Sequence, residues 1–236
     1  LDLAGIGIGE VDVVAFAHRP GLDLARGVAD ALARRAAKRL AVQAYVDANL
    51  LGKEAAFRAR WRYRGRIEHV GHHDAHAASA FFPSPFERAA VLTLDRGGDF
   101  LSTTLQVGTG SRLERLAEVR NPDSLGEVYS ALTWYLGFAP NADEGKTMGL
   151  APYGRDKLVG ELADLVQRTP DGLFRVNLAW FSYHREGGWL SRQFMERFGP
   201  PRAPESAIGE HHQDLAFAVQ DLLEETALHV ARTLRR

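Results

Sequence analysis

The sequence predicts a mixed α/β or α+β fold, and three observations support this. Short runs rich in β-branched and apolar residues predict strands, and they are interspersed with longer Ala- and Leu-rich segments of helical composition. Glycines and prolines lie between these segments and predict turns. The sequence contains no internal repeat, which is consistent with this fold class.

The first part of the chain predicts two strands and two helical regions. Residues 11–17 are a short β-branched run followed by Pro20 and Gly21, and residues 22–60 predict one or two helices. Residues 66–71 predict a second strand. Residues 74–82 have the composition of a helix, which the prolines that follow would end.

The remainder predicts hairpin strands and then helices. Residues 89–94, 101–107 and 113–119 contain β-formers separated by Gly-rich turns, which predicts three strands joined by hairpins. We expect a helix at 124–137, helical structure at 142–167 with a break at 152–154, and a loop-rich insertion at 170–209. Residues 213–234 predict an amphipathic helix, whose apolar face holds Leu215, Val219, Leu222, Leu223, Ala227 and Val230.

The composition excludes several classes of protein. With 236 residues, 45% hydrophobic and 25% charged, the chain is neither disordered, collagen-like nor a coiled-coil rod. Its 29 basic and 30 acidic residues give a net charge of -1, so an anion site must be local and nucleic acid is a disfavoured partner. The absence of Cys excludes thiolate ligands and thiol nucleophiles and fits a cytoplasmic location. No apolar run reaches the roughly 18 residues of a spanning helix, so we expect no membrane association.

A histidine cluster is the sharpest chemical signal, with four of the nine histidines within residues 69–76. His72 and His76 are four residues apart, so a helix would place both on one face at a spacing suited to one metal ion. Ordinary core or surface histidines could have this spacing too. Asp95, which ends an apolar strand, is the candidate third ligand. Two imidazoles and a carboxylate suit Fe(II), Zn or Mn, whereas the zinc-protease motif is excluded because His73 stands where it requires Glu.

Two further groups are candidates for contacts to phosphate. Gly97 and Gly98 follow the strand and would let backbone N–H groups approach a phosphate, although a plain hairpin turn explains the same residues. Lys146 lies in a Gly-Lys-Thr tripeptide like the end of a P-loop, but Pro140 stands where that motif requires Gly. A helix N-terminus with two acidic residues is the alternative explanation around Lys146.

Four stretches of the chain together resemble the O-carbamoyltransferases, the nodulation and antibiotic-tailoring family. The resemblance covers about residues 70–154 in matching order and spacing, through residues 72–86, 92–95, 129–138 and 146–154. It implies an actin/sugar-kinase-like (ribonuclease H-like) mixed sheet with flanking helices. Residues 1–236 would then be part of the N-terminal carbamoyltransferase domain, including the insertion at 170–209.

The resemblance also implies a reaction in two steps. Carbamoyl phosphate and ATP form a carbamoyl-adenylate in a second, smaller domain, and the carbamoyl group then passes to the hydroxyl of a small-molecule acceptor at a metal site. The family holds an iron through two histidines of this stretch and an aspartate after the next strand, which correspond to His72, His76 and Asp95. Gly97, Gly98 and Lys146 would contact phosphate or nucleotide.

The chain departs from the family in two respects. Arg96 stands where the family usually has Gly after the metal aspartate. The family's opening strand, its late aspartate ligand and its adenylate-forming domain are not found within residues 1–236. Because the chain also begins at Leu1 and ends inside a predicted helix, we expect an incomplete domain that has no turnover by itself.

Two other functions stay open from the sequence. A relative that makes or uses threonylcarbamoyl-adenylate on tRNA would bind tRNA with a steep salt dependence. A non-catalytic module with the actin-like fold would bind a metal or nucleotide without group transfer. No motif in the sequence indicates which molecule is the acceptor.

Overall fold

The computed structural model describes residues 5–19, 37–185 and 188–235, and over these residues the fold is mixed α/β with three small sheets. The predicted mixture of strands and helices is confirmed. The start of the predicted helical region, residues 22–36, lies outside the described residues. The chain divides into two compact units, one of residues 1–85 with 98–100 and the other of residues 86–97 with 101–236.

Within its described residues, the first unit contains a parallel strand pair and two helices. Strands β1 (Val13–Phe16) and β2 (Arg66–His69) pair in parallel, with Val13 opposite Arg66 and Phe16 opposite His69. Between them lies helix α1 (Ala37–Trp61), and helix α2 (His72–Phe81) follows β2. The predicted strands at 11–17 and 66–71 are confirmed, and the helix expected at 74–82 begins two residues earlier.

An aromatic cluster packs α1 against this strand pair. The Phe16 ring stacks on His69 at 5.8 Å and meets Phe57 edge-on at 6.4 Å, and Phe57 meets Tyr63 at 5.6 Å. Glu54, also on α1, pairs with His69 Nε2 at 3.0 Å. These contacts fix the end of β2, from which the chain enters α2 within three residues.

The second unit is built on a three-stranded sheet in the order β3-β4-β5. Its strands are β3 (Arg88–Gly98), β4 (Leu101–Thr109) and β5 (Arg112–Arg120), and β4 pairs with β5 antiparallel. The hydroxyls of Thr93 and Thr104 hydrogen-bond between β3 and β4 at 2.7 Å. The three predicted strands at 89–119 are therefore confirmed.

Helices, short turns and a second strand pair make up the rest of the described residues of the second unit. Helices α3 (Leu125–Tyr135), α4 (Glu144–Leu150) and α5 (Val159–Leu162) precede the antiparallel pair β6 (Val166–Arg168) and β7 (Phe174–Val176). Helices α6 (Arg192–Phe198) and α7 (Glu210–Leu234) follow. The helices predicted at 124–137 and 213–234 are confirmed. Across the described residues, no helix combines the length and apolar character needed to cross a membrane.

The helical prediction for 155–167 is wrong apart from the four residues of α5. The break at 152–154 is confirmed, but 3-10 turns at Asp156–Leu158 and Ala163–Leu165 flank α5, and β6 follows. A close approach to α7 explains this. A Cβ at Gly154 would lie 2.0 Å from the Gln213 carbonyl oxygen, and the Arg155 N–H donates to Asp214 at 2.8 Å. Tertiary contact therefore overrides local helical composition.

Residues 170–209 contain short elements rather than long periodic ones: β7, a 3-10 turn at Leu178–Trp180, and α6. Their aromatic residues explain how so irregular a segment is ordered, because four phenylalanines are buried in the core of the second unit: Phe174, Phe181, Phe194 and Phe198.

The amphipathic helix α7 closes that core. Its fully buried Leu215 and Val219 belong to the same cluster as Leu132 of α3, whereas Leu228 on the same helix is 46% exposed. Burial of this apolar face is the main stabilising contribution of α7.

Leu215→Ala should lower the free energy of unfolding by about 2–5 kcal/mol, because it removes a fully buried side chain and leaves a cavity. The matched control is Leu228→Ala on the same helix, which should change it by less than about 0.5 kcal/mol. Urea unfolding of both variants measures the difference. Equal losses would contradict the assignment of the buried face.

Candidate metal centre

His72 and His76 lie together on α2, as the sequence predicts. Their Nε2 atoms are 3.1 Å apart, the His72 side chain is half-buried and His76 is exposed. Two nitrogen ligands at about 2.1 Å from one metal, at an angle of about 95°, would be separated by roughly this distance. An N–H···N hydrogen bond between the rings fits it equally well, so a proton and a metal ion would compete for the pair.

The other two histidines of the cluster have different surroundings. His69, on β2, is bonded through Nε2 to Glu54 and through Nδ1 to the His18 carbonyl oxygen at 3.1 Å. His73, adjacent to His72, is 1% exposed. Of the four clustered histidines, therefore, His72 and His76 are the two whose Nε2 atoms converge.

The first turn of α2 receives its cap from a distant part of the chain. Gly71 occupies the N-cap position and offers no side-chain acceptor. The His72 backbone N–H instead donates to Asp99 Oδ2 at 2.8 Å, across 27 residues of sequence. Asp99 Oδ1 also lies 2.5 Å from His18 Nδ1. Residues 98–100 thereby belong to the first unit.

Asp95, the predicted third ligand, belongs to the second unit. It lies near the end of β3, is half-buried, and accepts a hydrogen bond from the Arg96 N–H at 2.6 Å. The Ser124 hydroxyl donates to the Arg96 carbonyl oxygen at 2.9 Å and lies 3.4 Å from that of Asp95. Because Ser124 is also the N-cap of α3, this end of β3 is fixed to a helix terminus. A ligand set that includes Asp95 stays a prediction.

Arg96, at the position where the resemblance implies glycine, is accommodated by the second unit. The guanidinium pairs with Glu127 at 3.3 Å and donates to the side-chain oxygen of Asn141. Its backbone is close to α3, since a Cβ at Gly126 would lie 2.6 Å from the Arg96 Cα. The cation is therefore compensated by a carboxylate that is 8% exposed.

The two glycines at the end of β3 have packing roles. Gly97 has φ +150°, and a Cβ there would meet the Asn121 side-chain amide at 2.1 Å. A Cβ at Gly98 would lie 2.2 Å from Cγ of His72. Side chains are excluded at both positions by neighbours already present. Their predicted contact with phosphate would have to come from the backbone, and it stays a prediction.

Lys146 lies in the first turn of α4, which agrees with the helix-start explanation of its surroundings. Its ammonium group pairs with Asp143 at 3.0 Å, and its side chain is 62% exposed. The Ala139 N–H and the Lys146 ammonium hold the pKa of Asp143 below its ordinary value. The nucleotide role expected for Lys146 stays a prediction.

Glu144 is the centre of a polar cluster that sequence reasoning missed. It accepts hydrogen bonds at 2.6 Å from the Ser130 hydroxyl and from the Asn141 N–H. Burial opposes ionisation, but these donors, together with Arg96, lower the pKa of Glu144 below its ordinary value. Burial, with Glu144 and Glu224 nearby, raises the pKa of Tyr129 to about 12, so this hydroxyl stays protonated and donates to Gln220 at 2.7 Å.

Asp99 is the other residue that sequence reasoning missed. The motif Asp95-Arg-Gly-Gly-Asp99 placed an acid next to two glycines, yet nothing local indicated that its partners are His18 and His72. Asp99 directly follows the last residue of β3 and is buried, whereas a hairpin tip is usually exposed, so its burial could not be expected from its position in the sequence.

Glu144→Gln should lower the free energy of unfolding by roughly 0.5–1.5 kcal/mol at pH 7, because the carboxylate accepts charge-assisted hydrogen bonds. The lowered pKa means that the unfolded chain binds the proton first as the pH falls. The difference in the free energy of unfolding between wild type and Glu144→Gln should therefore have its full value above pH 4.5 and disappear as the pH falls through the folded-state pKa of Glu144. The control is Glu114→Gln, an exposed site on β5, and a difference independent of pH would contradict the assignment.

Comparison with known proteins identifies the family to which the sequence is similar. The sequence profile of the carbamoyltransferase N-terminus matches residues 1–236. An uncharacterized protein of Synechocystis sp. is 44% identical over 165 residues, which cover 69% of this chain and 27% of that protein. Nodulation protein NolNO of Sinorhizobium fredii is 39% identical over 169 residues, 71% of this chain and 23% of that protein. Nodulation protein NolO of Bradyrhizobium diazoefficiens is 36% identical over 169 residues, 71% of this chain and 29% of that protein.

The three relatives are matched over a similar share of their length. The chain spans about a quarter of the length of the curated relatives it matches. The profile covers every element described above, including the histidine pair of α2 and the end of β3. The chain belongs to the carbamoyltransferase family, in the part that this family has at its N-terminus.

Proposed function

We propose that this chain is the metal-binding part of an O-carbamoyltransferase, which transfers a carbamoyl group to the hydroxyl of a small-molecule acceptor. One observation carries the proposal: within a carbamoyltransferase chain, two imidazole Nε2 atoms converge to 3.1 Å on one turn of α2. The proposal includes the actin-like fold for this partial domain and ATP as the source of a carbamoyl-adenylate. The cytoplasmic location and the lack of turnover by the isolated chain stay predictions.

The donor set fits a divalent metal. His72 and His76 offer two imidazole nitrogens at a suitable separation, and the proposal adds one carboxylate oxygen from Asp95. Two nitrogens and one oxygen, with coordination positions left open, suit Fe(II) and related divalent ions. When bound, such a metal would act as a Lewis acid that stabilises negative charge on the reacting group.

The transfer step needs groups of the chain that hold the donor in place. The acceptor oxygen bonds to the carbamoyl carbon, the bond from that carbon to the bridging phosphate oxygen breaks, and AMP leaves with that oxygen. The proton of the acceptor hydroxyl passes to water. We assign the phosphate contacts to the backbone at Gly97 and Gly98 and to the exposed ammonium of Lys146.

The positive charge of Arg96, at this end of β3, is already paired within the second unit. Because Glu127 and Asn141 already engage its guanidinium, Arg96 brings little free positive charge to a nucleotide. The exposed Lys146 is the better candidate, since its partner Asp143 is a surface ion pair of small energy that an incoming phosphate could replace.

His76→Ala should remove tight metal binding, with a loss in affinity of more than about 100-fold, because it takes away one of few ligands. Elemental analysis of the chain after equilibration with Fe(II) under anaerobic conditions measures the content. His211→Ala, a histidine of α7 in the second unit, is the control and should bind metal like the wild type. Equal iron in wild type and His76→Ala would refute the site.

Lys146→Ala should weaken binding of AMP to the metal-loaded chain by about 3–10-fold, because it removes a cation that would contact the phosphate. Isothermal titration calorimetry measures the affinity at fixed ionic strength. Lys53→Ala, an exposed lysine of α1, is the control. Equal AMP affinity in the wild type, Lys146→Ala and Lys53→Ala would contradict the role of Lys146. Tight binding of tRNA by the wild type would favour the tRNA-modifying alternative.

A further inference from the structure

Asp99 has an environment that a hairpin residue rarely has. It is 2% exposed, so its carboxylate has lost most of its hydration and needs compensation from donors. Oδ2 accepts the His72 N–H at 2.8 Å, and Oδ1 lies 2.5 Å from His18 Nδ1 and 3.4 Å from the Arg19 N–H. Its two oxygens therefore connect the first residue of α2 with the segment after β1.

The N-cap residue of helix α2 offers no side-chain acceptor. The first N–H groups of a helix have no partner within it, and a side-chain acceptor at the N-cap usually satisfies one of them. Here the N-cap is Gly71, and Asp99 supplies the acceptor from the turn between β3 and β4. A carboxylate at this end also interacts favourably with the helix dipole. The residue so fixed is His72, one of the two proposed ligands.

The neighbouring glycine constrains the same histidine from its ring side. A Cβ at Gly98 would lie 2.2 Å from Cγ and 2.7 Å from Cβ of His72. The His72 ring therefore occupies the space above this backbone. Successive residues of one turn thus contact both the backbone and the ring of His72.

The turn keeps this arrangement at a conformational cost. Asp99 and Phe100 have φ of 50° and 63°, the left-handed region that favours Gly and Asn. Asp tolerates that region, whereas an aromatic residue does so rarely. Strained backbone of this kind persists where surrounding contacts determine it, and here the contacts are those of Asp99.

From these contacts we propose that Asp99 is a positioning residue, which holds the His72 imidazole in the orientation where its Nε2 converges with that of His76. The inference rests on the metal site of the proposed function and deepens it. Asp99 itself touches neither metal nor substrate. Partners that hydrogen-bond the ring N–H of a ligating histidine commonly change metal affinity by 10–100-fold when they are removed, and we expect the backbone contact of Asp99 to act in the same direction.

The first experiment needs no metal. Hydrogen exchange at the His72 amide, followed by NMR in the metal-free chain, reports the bond to Asp99 directly. Asp99→Ala should accelerate this exchange by about tenfold or more, and Asp99→Asn, which keeps a side-chain oxygen acceptor, should accelerate it less. Asp164→Asn, an exposed site of the second unit, is the control. Unchanged exchange at His72 in Asp99→Ala overturns the inference, whatever the metal data show.

The second experiment is titration with Co²⁺, whose visible spectrum reports ligand geometry. Wild type should bind Co²⁺ in a way that His72→Ala abolishes. Asp99→Ala should bind it about 10–100-fold more weakly with an altered spectrum, and Asp99→Asn should recover part of the loss. Wild-type affinity and spectrum in Asp99→Ala would overturn the inference while leaving the metal site intact. Absence of His72-dependent binding in wild type would overturn the proposed metal site and the inference with it.

Gly98→Ala is a second variant that tests the positioning role of the turn if Asp99→Ala does not fold. The added methyl group would displace the His72 ring without removing any hydrogen bond of Asp99. It should weaken Co²⁺ binding and alter the spectrum, while exchange at the His72 amide changes little. Wild-type Co²⁺ affinity and spectrum in both Gly98→Ala and Asp99→Asn would overturn the positioning role of this turn.

Discussion

The candidate centre depends on one helical turn whose first residue is held from outside the helix. Spacing of four residues places His72 and His76 on one face of α2, and their Nε2 atoms converge to 3.1 Å. The N-cap residue, Gly71, has no side chain that could accept a hydrogen bond from the first turn. The buried carboxylate of Asp99 provides the acceptor and connects this turn to His18. The convergence of two imidazoles is therefore a property of the first unit and not of α2 alone.

The second unit holds its own strand end, that of β3, through contacts within the unit. Ser124 caps α3 and bonds the carbonyl of Arg96, and Glu127 and Asn141 engage the Arg96 side chain. The Arg96 side chain is thus bound by one acid and one amide of its own unit. The strand end is held in place by the packing of α3, whose buried residues share a core with α7. Stability of the second unit and the placement of Asp95 on it therefore have a common origin.

Sequence alone predicted the features that have a local period and missed those that depend on distant partners. The i,i+4 pair, the hairpin strands and the apolar face of α7 are each visible within a few turns of chain. The partners of Asp99 and Arg96 lie 27 and 45 residues away, and no local pattern encodes them. The helical prediction for residues 155–167 was wrong for the same reason, because the close contact of Gly154 with α7 outweighs the local helical composition. The family resemblance covered residues 70–154, and the profile match over 1–236 extends it to the flanks.

The two imidazoles of α2, we propose, bind a single metal ion. Anomalous diffraction from crystals grown with Co²⁺, measured on both sides of the cobalt absorption edge, tests this most directly. We expect one strong anomalous peak within about 2.0–2.3 Å of the Nε2 atoms of both His72 and His76. A peak bound to only one of these rings, or no peak near α2 while cobalt occupies other sites, would contradict it.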